Sequence, residues 1–213
     1  MTEFPEPSEL PAPPPEPDGL PGMAAFGPPL DAAGVGPHPL AGFRRWLAEA
    51  EEASGMRYPN ALTLATVDGA GRPDARIVLL KEADPEGFVI FTNYTSAKGG
   101  QLQAHPEAAL VFYWDAMGRQ LRVRGPVERV AEAESDAYFH TRPRGSRIGA
   151  WASAQSRPVE SRAVLEARVQ ELEARHDGGE VPRPPHWGGY RVRPREAEFW
   201  QEGAVRLHDR IGF

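Results

Sequence analysis

The chain has no cysteine among its 213 residues. That excludes a disulfide framework, a thiolate nucleophile and any cysteine-based zinc or iron–sulfur site. Lysine is nearly absent too: of 24 basic residues, only Lys81 and Lys98 are lysines. No apolar run approaches the ~20 residues that cross a bilayer, and the first residues lack a basic stretch followed by an apolar one. A soluble, cytoplasmic protein is the expectation. The six histidines (38, 105, 140, 176, 186 and 208) show no metal-ligand spacing, so no metal is expected. The glycine fingerprint of a dinucleotide fold, a phosphate loop ending in Gly-Lys-Ser or Gly-Lys-Thr, and a Gly-x-Ser-x-Gly elbow are all missing. Without a nucleophile or a metal, hydride chemistry on a bound organic cofactor gains ground.

Positive charge is not in excess anywhere on a large scale. The net charge is -6, but residues 1–40 hold six acids (Glu3, Glu6, Glu9, Glu16, Asp18 and Asp31) and no Lys or Arg, which leaves 24 acids against 24 bases for the rest. A balanced folded part argues against a nucleic-acid-binding barrel, which would carry a basic face. Local arginine clusters must then serve local ends.

The first 38 residues carry about half of the prolines, with acids and no hydrophobic period, and are expected to be a disordered, Pro-rich acidic tail. One domain is expected over 39–213. Leu40, Phe43, Trp46, Leu47 and Ala50 fall at helical spacing and predict an amphipathic helix. Strands are then predicted at 61–67, 75–81, 88–92, 108–114 and 119–130, separated by turns such as Asp68-Gly69-Ala70-Gly71. In the last of these Leu121, Val123 and Val127 face one way and Gln120, Arg122 and Arg124 the other. Helices follow at 96–104, between the strands, and at 132–139, 146–152 and 158–176, the last with Ser156 as N-cap and Leu165, Val169 and Leu172 as its buried stripe. Strands at 189–193 and 197–201 precede Arg206-Leu-His-Asp-Arg210. The series is mostly β with flanking helices (α+β), which fits a small antiparallel barrel.

Four clusters join positive charge to hydroxyls, amides or aromatics. Arg76 and Lys81 lie on one strand, where alternation separates them by face unless the strand ends between them. Thr92, Ser96 and Lys98 surround a helix start, where free N–H groups favour an anion. Tyr138, Arg142, Arg144, Ser146 and Arg147 crowd around Pro143 and Gly145, which predict an irregular turn. Trp200 lies near Arg206, His208, Asp209 and Arg210; on a strand, 206, 208 and 210 would share a face and together attract an anion.

Seven strings, in order, resemble the pyridoxamine 5′-phosphate oxidase family: Arg76-Ile-Val-Leu-Leu-Lys81, Phe91-Thr-Asn-Tyr94, Tyr138-Phe139 with Arg142-Pro143-Arg144, Ser146-Arg-Ile-Gly-Ala-Trp-Ala-Ser153 with Gln155-Ser156, Pro184-Pro-His-Trp-Gly-Gly-Tyr190, Glu198-Phe-Trp-Gln201 and Arg206-Leu-His-Asp-Arg210. The likeness runs from about Leu40 to Arg210. It implies an FMN-binding split β-barrel that forms a homodimer with FMN between subunits. The implied reaction is oxidation of pyridoxine or pyridoxamine 5′-phosphate to pyridoxal 5′-phosphate, with O2 accepting the electrons to give peroxide; the alternative is a barrel that binds FMN or pyridoxal phosphate without turnover. By motif, the implied FMN contacts are Arg76, Ile77, Val78, Lys81, Phe91, Thr92, Lys98, Gln120, Gln155, Ser156, Trp200 and Arg210. The implied substrate contacts are Lys81, Tyr138, Arg142, Ser146, Arg206 and His208, and Arg206 and His208 are the implied catalytic pair. Three departures stand out. The basic, tyrosine-bearing segment that covers the substrate in some relatives has no evident match before Leu40. Ala97 occupies a position where the family usually has arginine, which predicts weaker flavin binding. The family also continues past Arg210 through a further strand, whereas this sequence stops at Phe213, so a shortened final strand is expected.

Overall fold

Alternating apolar and polar residues resolve into nine strands, all antiparallel, in the computed structural model, which describes residues 29–53 and 55–213. They are β1 (Ala61–Val67), β2 (Pro73–Leu79), β3 (Glu82–Asp84), β4 (Gly87–Asn93), β5 (Glu107–Trp114), β6 (Arg119–Arg129), β7 (Trp187–Val192), β8 (Glu196–Gln201) and β9 (Asp209–Gly212). Strand β6 is the hinge of the sheet. Its first half pairs with β5 on one side and β8 on the other, and its last residues pair with β7. One wing therefore runs β2-β1-β5-β6-β8-β9 and the other β6-β7-β4-β3, curling into a split barrel.

Alternation decides which face is buried. Leu62 and Leu64 of β1, Leu110 and Phe112 of β5, Leu121 and Val123 of β6 and Phe199 of β8 all point inward. Helix α2 (Pro39–Glu52) closes the barrel over Phe43, Trp46 and Ala50, and its rings meet Phe88, Phe112, Trp114 and Phe199 at centroid distances of 4.9–6.4 Å. Such a cluster of buried aromatics is a dominant source of fold stability. Ahead of α2, a single helical turn, α1 (Ala32–Val35), lies inside the stretch expected as tail. Asp31 caps it, Val35 is buried against Gly42, and the Leu30 N–H donates to Asp209 Oδ2 at 2.9 Å. Packed structure is thus present ahead of Pro39, where Val35 fills core space; the first 28 residues of the expected tail lie outside the described residues.

The remaining helices are α3 (Ala97–Ala104), α4 (Glu132–Thr141), α5 (Arg144–Ala152) and α6 (Arg162–Arg175). Three local expectations differ from what is found. Helix α6 begins at Arg162 behind Ser161; Ser156 sits in the preceding turn with a left-handed φ of 68° and caps nothing. Of the expected stripe only Leu172 is buried and Val169 is exposed, because α6 packs mainly on α5 and the loop that follows α6, through Leu172 beside Ile148, Ala152 and Val181. Finally, residues 206–208 are not strand. A 3-10 turn covers Ala204–Arg206, and the chain doubles back so tightly that a Cβ on Gly203 would lie 1.9 Å from the Leu207 carbonyl oxygen. Only glycine fits there, so Arg206, His208 and Arg210 do not share a strand face. Among the described residues no helix is long and apolar enough to cross a membrane.

Candidate active site

Where β2 ends, its last residues, β4, α3 and the α4–α5 junction enclose a cavity of about 690 Å³. This size suits a cofactor or a drug-sized ligand. Arg76, Ile77, Val78, Leu79 and Lys81 form one wall; Phe91, Thr92, Asn93 and Lys98 form the floor. The opposite wall carries Tyr138, Thr141, Arg142, Pro143, Ser146, Gly149 and Ala150, with Ser153, Gln155 and Trp187 completing it. Because β2 stops at Leu79, alternation is broken before Lys81, and both Arg76 and Lys81 reach the same space.

The cavity has two separate cationic poles. At the first, Lys98 stands in the first turn of α3, whose N-terminus is capped by Ser96. Gly99 allows this turn to press on the chain just after β4: a Cβ there would fall 2.1 Å from the Tyr94 carbonyl oxygen. Lys98 is buried, and its Nζ donates to Gln155 Oε1 at 2.9 Å, an oxygen that Thr92 Oγ1 also approaches at 3.2 Å. Burial lowers the Lys98 pKa, the neighbouring Arg76 lowers it further, and Asp74 opposes both. Arg76 is fixed by hydrogen bonds to Leu64, Thr66, Asp74 and Gln101.

The second pole is Arg142, which caps α4 just before Pro143 starts the next helix. Its guanidinium lies over the Trp187 ring at 4.6 Å and the Phe139 ring at 5.6 Å, and its buried Nη1 has no hydrogen-bond partner. Burial pushes its pKa down, with Tyr138 opposing. Arginine nonetheless stays protonated, so this is a half-buried charge whose buried Nη1 has an unmet demand for an anion. Ser146 and Tyr138 flank it on the cavity wall. Behind them Phe91, Tyr138 and Trp187 are near-parallel, with Phe91 4.1 Å from Tyr138 and 5.5 Å from Trp187. Arg144, counted with this cluster in the sequence, turns away to Glu173, Gly179 and His176 and ties α5 to α6 and the loop that follows it. Arg147 does not line the cavity.

Eleven of the expected site residues thus line one cavity: Arg76, Ile77, Val78, Lys81, Phe91, Thr92, Lys98, Tyr138, Arg142, Ser146 and Gln155. Gln120, Ser156, Trp200, Arg206, His208 and Arg210 are not among its walls. Three of those form a row instead. Gln120 pairs with Trp200 across β6–β8, and Trp200 pairs with Arg210 across β8–β9, so all three lie on the outward face of the sheet. Tyr113, opposite Gln120, extends the row, and Ile77 lies on the same face two strands away; both are largely exposed. His208 leans on Trp200 with 4.7 Å between rings, and its Nδ1 accepts from the Gly203 N–H at 3.2 Å. Arg210 pairs with Glu198 at 3.0 Å. Arg206 ends the 3-10 turn with a left-handed φ of 61°.

Sequence reasoning missed Asn93, Thr141, Gly149, Ala150 and Trp187 as wall residues. For Gly149 and Ala150 the signal existed: 146, 149, 150 and 153 fall on one helical face.

Curled antiparallel sheet, two cationic poles and stacked rings together define a split barrel with a cavity suited to an anionic, ring-bearing ligand. Residues 48–176 match the pyridoxamine 5′-phosphate oxidase family model, and residues 187–213 match the pyridoxine 5′-phosphate oxidase C-terminal dimerisation region. The chain belongs to the pyridoxamine 5′-phosphate oxidase family. It is 61% identical over 171 residues to a pyridoxine/pyridoxamine 5′-phosphate oxidase of Azorhizobium caulinodans, covering 80% of each chain. A Ralstonia nicotianae protein named pyridoxine/pyridoxamine 5′-phosphate oxidase 1 is 59% identical over 184 residues, 86% of each. Among solved structures, PhzG from Burkholderia lata 383, in complex with tetrahydrophenazine-1-carboxylic acid, aligns with a TM-score of 0.79 at 34% identity, covering 86% of this chain and 90% of that one. An FMN-binding protein from Nostoc punctiforme shares the fold with a TM-score of 0.59 at 15% identity, covering 80% of this chain and 94% of that one.

Proposed function

We propose that this chain is an FMN-dependent oxidase that converts pyridoxine 5′-phosphate or pyridoxamine 5′-phosphate to pyridoxal 5′-phosphate, with O2 as electron acceptor and H2O2 as by-product, the amine substrate also consuming one water and releasing ammonia. The carrying observation is the pair of cationic poles in one cavity. FMN and the substrate each bring a phosphate, and each pole offers one of them charge-assisted hydrogen bonds. The donor set fits: a buried Lys98 with Thr92 and Gln155 at one pole, and an Arg142 with an unpartnered Nη1 at the other. The names of the relatives at about 60% identity agree with this chemistry.

In this reading Arg76, Thr92, Lys98, Gln155 and Ser156 hold the flavin phosphate and ribityl chain, while Ile77, Val78 and Phe91 flank the ring system. Arg142, Tyr138 and Ser146 clamp the substrate phosphate, and Lys81, without a side-chain partner among the described residues, bridges the flavin and substrate regions. When bound, FMN supplies the two-electron acceptor for the substrate's 4′ carbon and passes the electrons to O2. The protein's part is to fix ring against ring, exclude water and manage one proton.

The remaining residues come from a second copy of the chain. A homodimer is supported by the match of residues 187–213 to a dimerisation region, and by an outward sheet face that carries exposed Ile77 and Tyr113 beside Gln120, Trp200 and Arg210. Ile77 is both a cavity wall and part of that face, so a partner packed there would bring its own Gln120, Trp200 and Arg210 to the flavin. Arg206 and His208 would follow as the catalytic pair bordering the pyridine ring. With Nδ1 of His208 accepting from the backbone, its proton sits on Nε2, the nitrogen left to exchange it. The test is turnover in air: FMN-loaded protein given pyridoxine 5′-phosphate should form pyridoxal 5′-phosphate and peroxide in equal amounts. Binding of both ligands with no peroxide would replace this reading with a non-catalytic binding protein.

A further inference from the structure

Arg76 is heavily committed inside the chain. Its Nη1 donates to the Leu64 carbonyl at 3.2 Å and to Thr66 Oγ1 at 2.6 Å; its Nη2 donates to Asp74 Oδ2 at 2.5 Å and to Gln101 Oε1 at 2.9 Å. A guanidinium has five N–H donors, so these four bonds leave only the Nε–H for a ligand. Sheet register produces the arrangement, since Leu64 pairs with Arg76 and Thr66 with Asp74 across β1–β2. Three of the acceptors are neutral and one is a carboxylate. Asp74 Oδ2 also accepts from Gln101 Nε2 at 2.9 Å, so one oxygen holds two donors. Hydrogen bonding from Gln101, with help from Arg76, keeps the Asp74 pKa below the usual carboxylate value, and the negative charge is therefore present at neutral pH. At this pole of the cavity Arg76 and Lys98 bring two positive charges, Asp74 removes one, and Ala97 at the start of α3 adds none.

We propose that Asp74 is a built-in competitor for the cofactor's phosphate: its carboxylate occupies the Nη2 edge of Arg76 and lowers the affinity of the cavity for a phosphate-bearing flavin. The inference rests on the flavin site proposed above and deepens it. Geometry and charge act in the same direction. A phosphate that grips Arg76 in bidentate fashion must displace Asp74 or Gln101, and one that does not still meets a pole with half its positive charge cancelled.

The test compares two flavins on two proteins. The full-length chain, freed of flavin, and its Asp74→Asn variant are each titrated with FMN and with riboflavin, which lacks the phosphate, following flavin fluorescence. Asparagine keeps the shape and one acceptor oxygen but not the charge. The expected result is an FMN Kd roughly three- to ten-fold lower in Asp74→Asn, with the riboflavin Kd unchanged. An unchanged or higher FMN Kd would overturn the proposal and make Asp74 a residue that only orients Arg76. Equal tightening of both flavins would also overturn it, because the effect would not pass through the phosphate. If neither protein binds either flavin, the flavin site itself is wrong and the proposal falls with it.

Discussion

Arg142 shows how a single side chain can carry a function that its neighbours cannot. It is half-buried against Trp187 and Phe139 with a buried Nη1 unpartnered, a state that costs stability unless an anion arrives. Replacing it with alanine should therefore hurt substrate binding more than folding. Arg142→Ala is expected to raise KM for pyridoxine 5′-phosphate about 10- to 100-fold, equivalent to one charge-assisted hydrogen bond of ~1.5–3 kcal/mol, with a smaller change in kcat. Steady-state kinetics with FMN saturating check this. Lysine at the same position should not restore affinity, because it lacks the planar fork that stacks on Trp187. Lys98 and Arg142 were legible in the sequence, one by its rarity and the other by its setting beside Tyr138 and Ser146. Asp74, Thr66 and Gln101 were not: they come from three elements and converge on Arg76 only through β1–β2 register and the docking of α3.

At the scale of elements, strands and helices followed apolar period closely where one face is buried, as in β1, β6 and α2. The period failed where tertiary context differs from amphipathic expectation. The stripe of α6 predicts a buried face, yet the helix buries only Leu172, against α5 and Val181. The shared strand face considered for 206, 208 and 210 does not form, because a turn that Gly203 permits covers Ala204–Arg206. The three-residue β3 was too short to register. One element contact should be visible in pH. His140 on α4 lies against the Asp136 carbonyl and against Glu180 in the loop after α6, at 2.6 Å each. The Asp136 carbonyl raises its pKa most, and Glu180 adds to this. A histidine whose folded pKa is raised contributes stability that is fully present below its unfolded pKa of about 6.5 and is lost as pH rises through the folded value. The melting temperature of His140→Gln should thus fall below that of the parent at about pH 5.5, and the two should converge by about pH 9. A gap of equal size at both pH values would contradict the assignment.

For the whole molecule, the decisive feature is that the expected site is divided. Eleven of its residues line one cavity, while Gln120, Trp200 and Arg210 share the outer sheet face with Tyr113. Sequence motifs carry no information on which copy supplies a residue, so this division could not be read before the fold. A second copy packed on that face would bring the two sets together. A charge on the face should prevent it: Tyr113→Glu, on a residue that is 59% exposed in the single chain, is expected to move the protein toward monomer in size-exclusion chromatography. FMN should be lost with it, since a central aromatic at an interface can carry ~2 kcal/mol or more. A Tyr113→Glu protein that remains dimeric and yellow would place the interface elsewhere. The account as a whole stands most directly on the reductive half-reaction. FMN-loaded protein mixed anaerobically with pyridoxine 5′-phosphate should lose its yellow flavin absorption as pyridoxal 5′-phosphate forms; a flavin band that stays unchanged while the substrate is demonstrably bound would contradict it.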